Sequence, residues 1–363
     1  MFFIANLWNY VIITLQNRRR GCDGIMFGAV ISQLAEHKEG KRMRQIEITA
    51  NDSDQRLDKF LTKKFREMPK SLMYKYIRKK YIKLNGKKCD ISTRLREGDI
   101  LTLYIKDEFF EQTYDEYDFL KAPIKLDIIY EDDNILLLNK KPGLLVHPDD
   151  TYHFDSLIAR VQHYLYDKGE YDPKNENSFA PALVNRIDRN TGGIVIAAKN
   201  AETLRIMNQK LKDREIEKLY LCIALGHFRK SEDTLTDYLE KNEKQNRVYI
   251  SKKPGENRKT IKTKYRVLAE KDGLSLVEVD LLTGRTHQIR AHFAYIGHPL
   301  LGDGKYGKNE INRKAGFRYQ ALYSYKLTFR FTTESGILAY LDGKTFTAPE
   351  VWFASLFNTS APG

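Results

Sequence analysis

Apolar positions along the chain repeat first at helical spacing and then mostly at strand spacing. From Ser53 the text SDQRLDKFLTKKFREMPKSLMYKYIRKKYIKLNGKKC sets Leu57, Phe60, Leu61 and Phe65 three to four apart behind a Ser/Asp cap. After Pro69 a second helix is predicted, with Leu72, Met73, Tyr76 and Ile77 on one face. Asn85-Gly86, between short β-prone segments, predicts a hairpin, and EGDILTLYI alternates as a strand. Beyond Pro123 the pattern becomes strand-rich: IKLDIIY, ILLLNK, GIVIAAK, KLYLCIALG, TKYRVLA, LSLVEVDLL and a late QALYSYKLTFRF. Between these come an Asp155-capped helix carrying Leu157, Ile158, Val161 and Leu165, an Asn200-capped helix, and a helix from about Thr286. Strands and helices mixed without regular βαβ alternation predict an α+β fold.

Charge divides the 363 residues further. The chain carries +13 before histidine is counted, and most of that surplus lies between Arg56 and Asp90, where 13 Lys/Arg face three Asp/Glu. A basic run of this kind reads either as a solvated face or as a surface that tracks phosphates. Lys59, Lys63, Lys75, Arg78, Lys79 and Lys80, on the polar sides of the two predicted helices, are the candidate RNA contacts. Residues 107–121 reverse the sign, with six acidic residues and one lysine, and are expected to be a linker. The expected organisation is therefore a leader over 1–42, accessory or disordered, a basic domain over 43–106, the linker, a larger domain over 122–357 and a tail over 358–363. A folded pattern opens abruptly at Met43, which is the expected start of translation.

Phe2 to Leu15 is apolar but shorter than the roughly 20 residues of a bilayer span, and Asn6 and Asn9 interrupt it. Arg18, Arg19 and Arg20 follow that run, whereas a secretory signal places its positive charge first. Cys22, Cys89 and Cys222 are odd in number and widely spaced, which argues against a disulfide framework or a thiolate metal site. A cytoplasmic protein without a membrane association is expected.

Most standard catalytic signatures are absent: no GxxxxGK[ST], no GxGxxG between a strand and a helix, no HExxH and no GxSxG. His287 and His292 are five apart, which suits one metal-binding helix face poorly, so no metal is expected. Two polar islands remain. In ALVNRIDRNTGGIVIAAKN, Asp188 stands in a turn between Arg186 and Arg189; in DLLTGRTHQIRAHFAYIGHPLLGDGKYG, Arg285 precedes a helix and a glycine-rich loop follows it. Taken alone, an Asp in such a turn is more often an Asx-turn or surface ion pair than a nucleophile. Arg285 reads as a helix-flanking cation, and Tyr220 in EKLYLCIALG as a core aromatic.

Together these blocks resemble a known family. NRIDRNTGG is similar to the signature HRLDxxTSG, EKLYLCIALG to a tyrosine-bearing strand, and TGRTHQIRAHFAYIGHPLLGDGKYG to an arginine block. With IYEDDNILLLNKKPGLLVHP they resemble the RluA-type pseudouridine synthases over about Met43 to Glu350, in the large-subunit rRNA branch. The basic segment resembles the alpha-L RNA-binding domain that many members carry. The resemblance implies a pseudouridine synthase fold with a mixed, mainly antiparallel sheet and isomerisation of uridines in 23S large-subunit rRNA, without a cofactor.

It implies site roles as well. Asp188 is the catalytic carboxylate, Arg285 its ion-pair partner, and Tyr220 the aromatic that stacks on the target base. Arg186 helps to hold the flipped nucleotide, and Arg189, Thr191, His287 and Arg290 are expected among the RNA contacts. Asn185 departs from the family's His, and Gly192 from its Ser. A monomer acting on RNA, alone or in a precursor particle, is expected. A tRNA-directed enzyme of the same family and a non-catalytic rRNA-binding assembly factor are the alternatives.

Overall fold

The computed structural model describes residues 41–111, 117–149, 154–307, 309–314 and 316–357. The expected leader falls on residues outside these, apart from Lys41 and Arg42, which open the first strand. Two compact units emerge, Met1–Tyr114 and Asp115–Gly363.

In the first unit, strands β1 (Lys41–Glu47), β2 (Ile82–Leu84), β3 (Lys87–Lys88) and β4 (Ile100–Lys106) form an antiparallel sheet in the order β1-β4-β2-β3. Helices α1 (Leu57–Lys64) and α2 (Lys70–Arg78) bury Phe60, Leu61, Met73 and Ile77 against Ile82, Leu101 and Leu103. Each fully buried side chain of this size contributes roughly 1.5–3 kcal/mol. The β2–β3 turn is made by Asn85 and Gly86, both at positive φ (51° and 73°), as the two-residue hairpin requires. The acidic stretch is partly built into the fold: Phe110 packs edge-on to Phe65 at 5.2 Å, and Arg44 pairs with Asp107.

The second unit is organised on one sheet. Its strands are β5 (Ile128–Glu131), β6 (Ile135–Lys140), β7 (Ala182–Leu183), β8 (Gly192–Ala198), β9 (Ile216–Leu225) and β10 (Glu232–Asn242). They continue with β11 (Arg247–Ser251), β12 (Arg258–Lys271), β13 (Leu274–Leu281), β14 (Leu322–Phe329) and β15 (Thr345–Thr347). The path runs β11-β10-β12-β13-β9-β14-β8-β6-β5, with β15 on β14 and β7 on β8. Among the described pairs only β8 with β14 is parallel. The expected α+β class, with a mixed and mainly antiparallel sheet, is thus what the chain forms.

One face of the sheet packs helix α3 (Leu157–Asp167), through Val161 and Leu165, into a core that also holds Tyr220, Val277 and Phe293. The other face packs helix α4 (Ala201–Lys212), through Met207, with Tyr325, Phe329 and Phe353. Asn200 caps α4 as expected, its Oδ1 accepting from the Thr203 N–H at 2.8 Å. For α3 the cap is Ser156, not Asp155: the Asp155 carboxylate is taken by Arg160 at 2.6 and 2.8 Å. The hairpin of β10 and β11 was not expected: its buried apolar residues are few, Leu239 and Val248, among exposed Glu232, Thr234, Thr236, Lys241 and Tyr249.

β8 and β14 approach unusually closely at the first residues of β8. A Cβ on Gly193 (φ 115°) would lie 2.2 Å from the Ser324 carbonyl oxygen, and one on Gly192 would lie 2.3 Å from the Tyr323 ring. The turn bearing Asp188 leads directly into this contact.

Candidate active site

Asp188 stands in the loop between β7 and β8, its carbonyl accepting from the Thr191 N–H at 3.0 Å. The loop is fixed from three sides. Asn185, in the place of the family's His, continues the sheet with its amide: Oδ1 accepts from the Ile196 N–H at 2.8 Å and Nδ2 donates to the Ile194 carbonyl at 3.4 Å. Thr191 is buried, and its hydroxyl accepts from Gln320 Nε2 at 3.0 Å. Lys140, 1% exposed, donates to the carbonyls of Arg189 (2.9 Å), Leu144 (2.8 Å) and Lys141 (3.1 Å). Burial pushes the Lys140 ammonium down to about 7, the Asp188 charge opposing that fall and the Arg189 charge adding to it.

The ion-pair partner of Asp188 is Arg290, not Arg285. Arg290 Nη1 donates to Asp188 Oδ2 at 2.8 Å, while its Nε and Nη2 grip Asp303 at 2.7 and 2.9 Å. Arg285 is exposed before helix α5 (Gln288–Tyr295), where its N–H donates to Gln288 Oε1 at 3.0 Å. The helix explains the exchange: its buried face runs through Ile289 and Phe293, and Arg290 lies beside them on the side facing the Asp188 loop. Arg290 is 7% exposed with two carboxylates on it, which leaves little of it for RNA. Thr191 is likewise committed internally.

Asp303 is fully buried and also accepts the backbone N–H groups of Lys305 (2.8 Å) and Tyr306 (3.0 Å). Burial by itself would raise its carboxyl, yet the Arg290 hydrogen bonds and charge hold it below the usual range. Burial disfavours the Arg290 cation too, and the two carboxylates more than reverse that, raising its pKa.

His287 begins α5 with positive φ (52°), a backbone state uncommon for a residue with a Cβ. Tyr306 Oη, which already accepts from the Val248 N–H at 2.9 Å, lies 3.0 Å from His287 Nδ1. The phenol oxygen thus bridges Val248 and the ring, and His287 Nε2 stands 3.9 Å from Asp188 Oδ2. Burial lowers the His287 pKa, in keeping with a neutral ring.

Tyr220 lies on β9, opposite Ser324 of β14, itself paired with Gly193. Burial pushes its hydroxyl up to about 12; the Asp188 charge adds to this, and the neighbouring Ser324 hydroxyl opposes it without closing a well-formed hydrogen bond. Asp188 keeps 26% of its side-chain exposure, so the carboxylate is paired and still reachable. Arg186 and Arg189 are exposed on either side of it, Arg189 Nε donating to the Gly143 carbonyl at 3.1 Å.

Behind α5 runs a second polar layer that the sequence did not point to. His292, fully buried, bridges Asp237 (3.0 Å) and Thr263 (2.9 Å), and Gln288 Nε2 donates to Thr263 Oγ1 at 3.0 Å. Thr263 therefore turns its hydroxyl proton to His292 Nδ1, and His292 donates from Nε2 to Asp237. This layer anchors α5, and with it Arg290 and His287.

In the first unit Lys59, Lys63, Lys75, Arg78, Lys79 and Lys80 are all exposed, Lys63 donating to Gln55 Oε1 at 3.0 Å. No helix among the described residues is long and apolar enough to cross a membrane, and no metal-holding cluster of His, Cys, Asp and Glu occurs among them.

The RNA pseudouridylate synthase family model matches residues 134–295, a span that includes Asp188, Tyr220 and Arg290, and an S4 domain model matches residues 55–101. The ribosomal large subunit pseudouridine synthase D of Borreliella burgdorferi is 32% identical over 77% of this chain and 84% of that protein. The ribosomal large subunit pseudouridine synthase C of Vibrio cholerae is 30% identical over 79% of this chain and 88% of that protein. Among solved structures, human RNA Pseudouridylate Synthase Domain Containing 1 shares the fold, with a TM-score of 0.50 and 23% identity over 69% of this chain and 92% of that one. The basic, helix-bearing first unit and the sheet that carries Asp188 thus correspond to the two matched domains, and the chain belongs to the RluA-type RNA pseudouridine synthases that carry an N-terminal S4 domain.

Proposed function

We propose that this enzyme isomerises specific uridines of 23S large-subunit rRNA to pseudouridine in the cytoplasm, with Asp188 as the catalytic carboxylate and without a cofactor. The observation that supports this most is the Asp188–Arg290–Asp303 chain, in which a reachable carboxylate is paired and oriented by a guanidinium that is itself fixed from behind. Such a carboxylate can start cleavage of the bond from uracil N1 to the sugar. The freed base turns, its C5 joins the same sugar carbon, and the proton on C5 leaves. Atoms balance with no net oxidation or group transfer, so the reaction itself asks for no redox group.

A stacked uridine hides the reacting atoms, and extruding it costs a few kcal/mol. The Tyr220 ring at the site offsets part of that cost by stacking, and with a pKa near 12 its phenol stays protonated at neutral pH. The basic face of the first unit supplies phosphate attraction. The large-subunit assignment draws on the names of the Borreliella and Vibrio relatives.

The test is pseudouridine mapping of 23S rRNA and tRNA from cells carrying wild-type protein, Asp188→Asn or no protein. We expect one or more 23S sites that disappear in the last two, with Asp188→Asn still binding RNA. Sites lost from tRNA alone would redirect the substrate, and conversion by Asp188→Asn would remove Asp188 from its role.

A further inference from the structure

A cleft of about 500 Å³ opens beside the turn that bears Asp188. Its inner wall comes from the two loops that build the ion pair. Asn190 is two residues beyond Asp188, and Gly302 and Gly304 flank Asp303. Its outer wall comes from helix α6 (Asn309–Lys314) and the segment after it, through Arg313, Phe317 and Arg318. The two walls are tied by Asn312, whose Oδ1 accepts from the Gly302 N–H at 2.8 Å while Nδ2 donates to the Asp303 carbonyl at 3.0 Å. Asn312 is thereby used up in construction.

The other side chains are not. Arg313 and Arg318 are exposed, and among the described residues neither has a carboxylate partner, Arg318 lying over the Tyr319 ring at 5.3 Å. Phe317 is half-buried, its ring backed by Trp352 at 5.1 Å. Gly304 leaves its stretch of wall open, with no atom within 4 Å of where a Cβ would stand, so a sugar-phosphate backbone can come close there. Two guanidiniums without a carboxylate suit a phosphodiester, a fixed aromatic suits a base or ribose face, and the Asn190 amide can read a polar edge.

We propose that this cleft is a subsite for the RNA strand flanking the target uridine, Arg313 and Arg318 holding a backbone phosphate while the uridine occupies the Asp188–Tyr220 site. This rests on the reading of that site as a uridine isomerase. Because Asn190 and Asp188 belong to one turn, filling the cleft sets the distance between a neighbouring phosphate and the Asp188 carboxylate. The subsite therefore contributes to which uridine is chosen.

The experiment compares wild type with Arg313→Ala/Arg318→Ala on a 23S fragment that the wild type converts. We expect KM to rise about tenfold or more with kcat within twofold, and the slope of log affinity against log salt to become shallower by about 0.7 for each phosphate no longer neutralised. An unchanged KM and slope would overturn the proposal. Binding is also measured in the Asp188→Asn background, with and without the two arginine changes. That arm reads the subsite even if no RNA is converted, which separates its failure from failure of the isomerase reading. Inorganic phosphate is the other source of the same chemistry: if it binds Asp188→Asn at millimolar concentration through the two arginines while RNA affinity is the same with and without them, the cleft is a free-phosphate site and the strand assignment falls.

Discussion

Arg290 holds Asp188 with one arm of its guanidinium and Asp303 with the other two nitrogens, at 2.8, 2.7 and 2.9 Å. The geometry makes Asp303 a positioning residue for a carboxylate it does not touch. Removing one partner of a buried ion pair costs about 3–5 kcal/mol, because the remaining charge is left uncompensated. Arg290→Ala is therefore expected to lower the unfolding free energy by that order and to reduce pseudouridine formation at least a hundredfold. Arg285→Ala, at an exposed position, should stay within a few-fold of wild type. Urea unfolding and single-turnover conversion of the two variants check this; equal losses would return Arg285 to the site.

Gly192 departs from the family's Ser for a steric reason. The Tyr323 ring fills the space a side chain would need, and it cannot swing away freely because its hydroxyl donates to Asn139 Oδ1 at 2.7 Å. Gly192→Ser should destabilise the protein by about 1–3 kcal/mol through overpacking. In a Tyr323→Ala background the same change should cost under about 0.5 kcal/mol, since the obstructing ring is gone. A double-mutant cycle by chemical denaturation gives the coupling, and additive effects would show that the two residues do not constrain each other.

The helices and hydrophobic strands were legible because burial imposes its period on the sequence: Leu57, Phe60 and Leu61 in α1, or Val161 and Leu165 in α3, are core residues wherever they are read. The β10–β11 hairpin was not, since only Leu239 and Val248 along it are buried apolar groups and the rest of its length rests on backbone pairing. At the site, Asp188 and Tyr220 are legible through their motif, but choosing between Arg285 and Arg290 needs the place where α5 begins: Arg285 lies exposed before it and Arg290 is buried within it. Position along the chain does not encode that start when both residues are polar and five apart. Asp303, Tyr306 and Lys140, and the pairing of His292 with Asp237, are not legible for a related reason: each acts by satisfying another buried polar group, and a single sequence does not reveal such pairings.

Lys140 gives the site a pH signature. The side chain titrates near 10.5 when unfolded and near 7 when folded, burial being the main cause. Between those values the unfolded chain binds a proton that the folded chain does not, so this group's contribution to stability rises with pH across that window and is lost as pH falls towards 7. Lys140→Met lacks the contribution. The difference in unfolding free energy between wild type and Lys140→Met should therefore move in favour of wild type from pH 7 to pH 10, by at most about 1.4 kcal/mol per pH unit. Urea titrations of both proteins across that range provide the check. Parallel curves would mean that Lys140 keeps its ordinary proton affinity inside the fold.

The exposed cations of the first unit lead to the last expectation. Lys59, Lys75, Arg78, Lys79 and Lys80 project from a core made by the opposite faces of α1 and α2, so replacing them removes charge without opening a cavity. If they neutralise rRNA phosphates, changing Lys75, Arg78 and Lys79 to alanine should weaken binding to all RNA sequences alike. It should also flatten the salt dependence by about 0.7–0.9 for each phosphate left without its cation, depending on whether the strand is single or paired. Conversion at saturating RNA should not change, because Asp188, Arg290 and Tyr220 lie in the other unit. Filter binding across a several-fold range of salt, set beside kcat at saturation, separates the outcomes: an unchanged slope would mark this basic face as a solvated surface only.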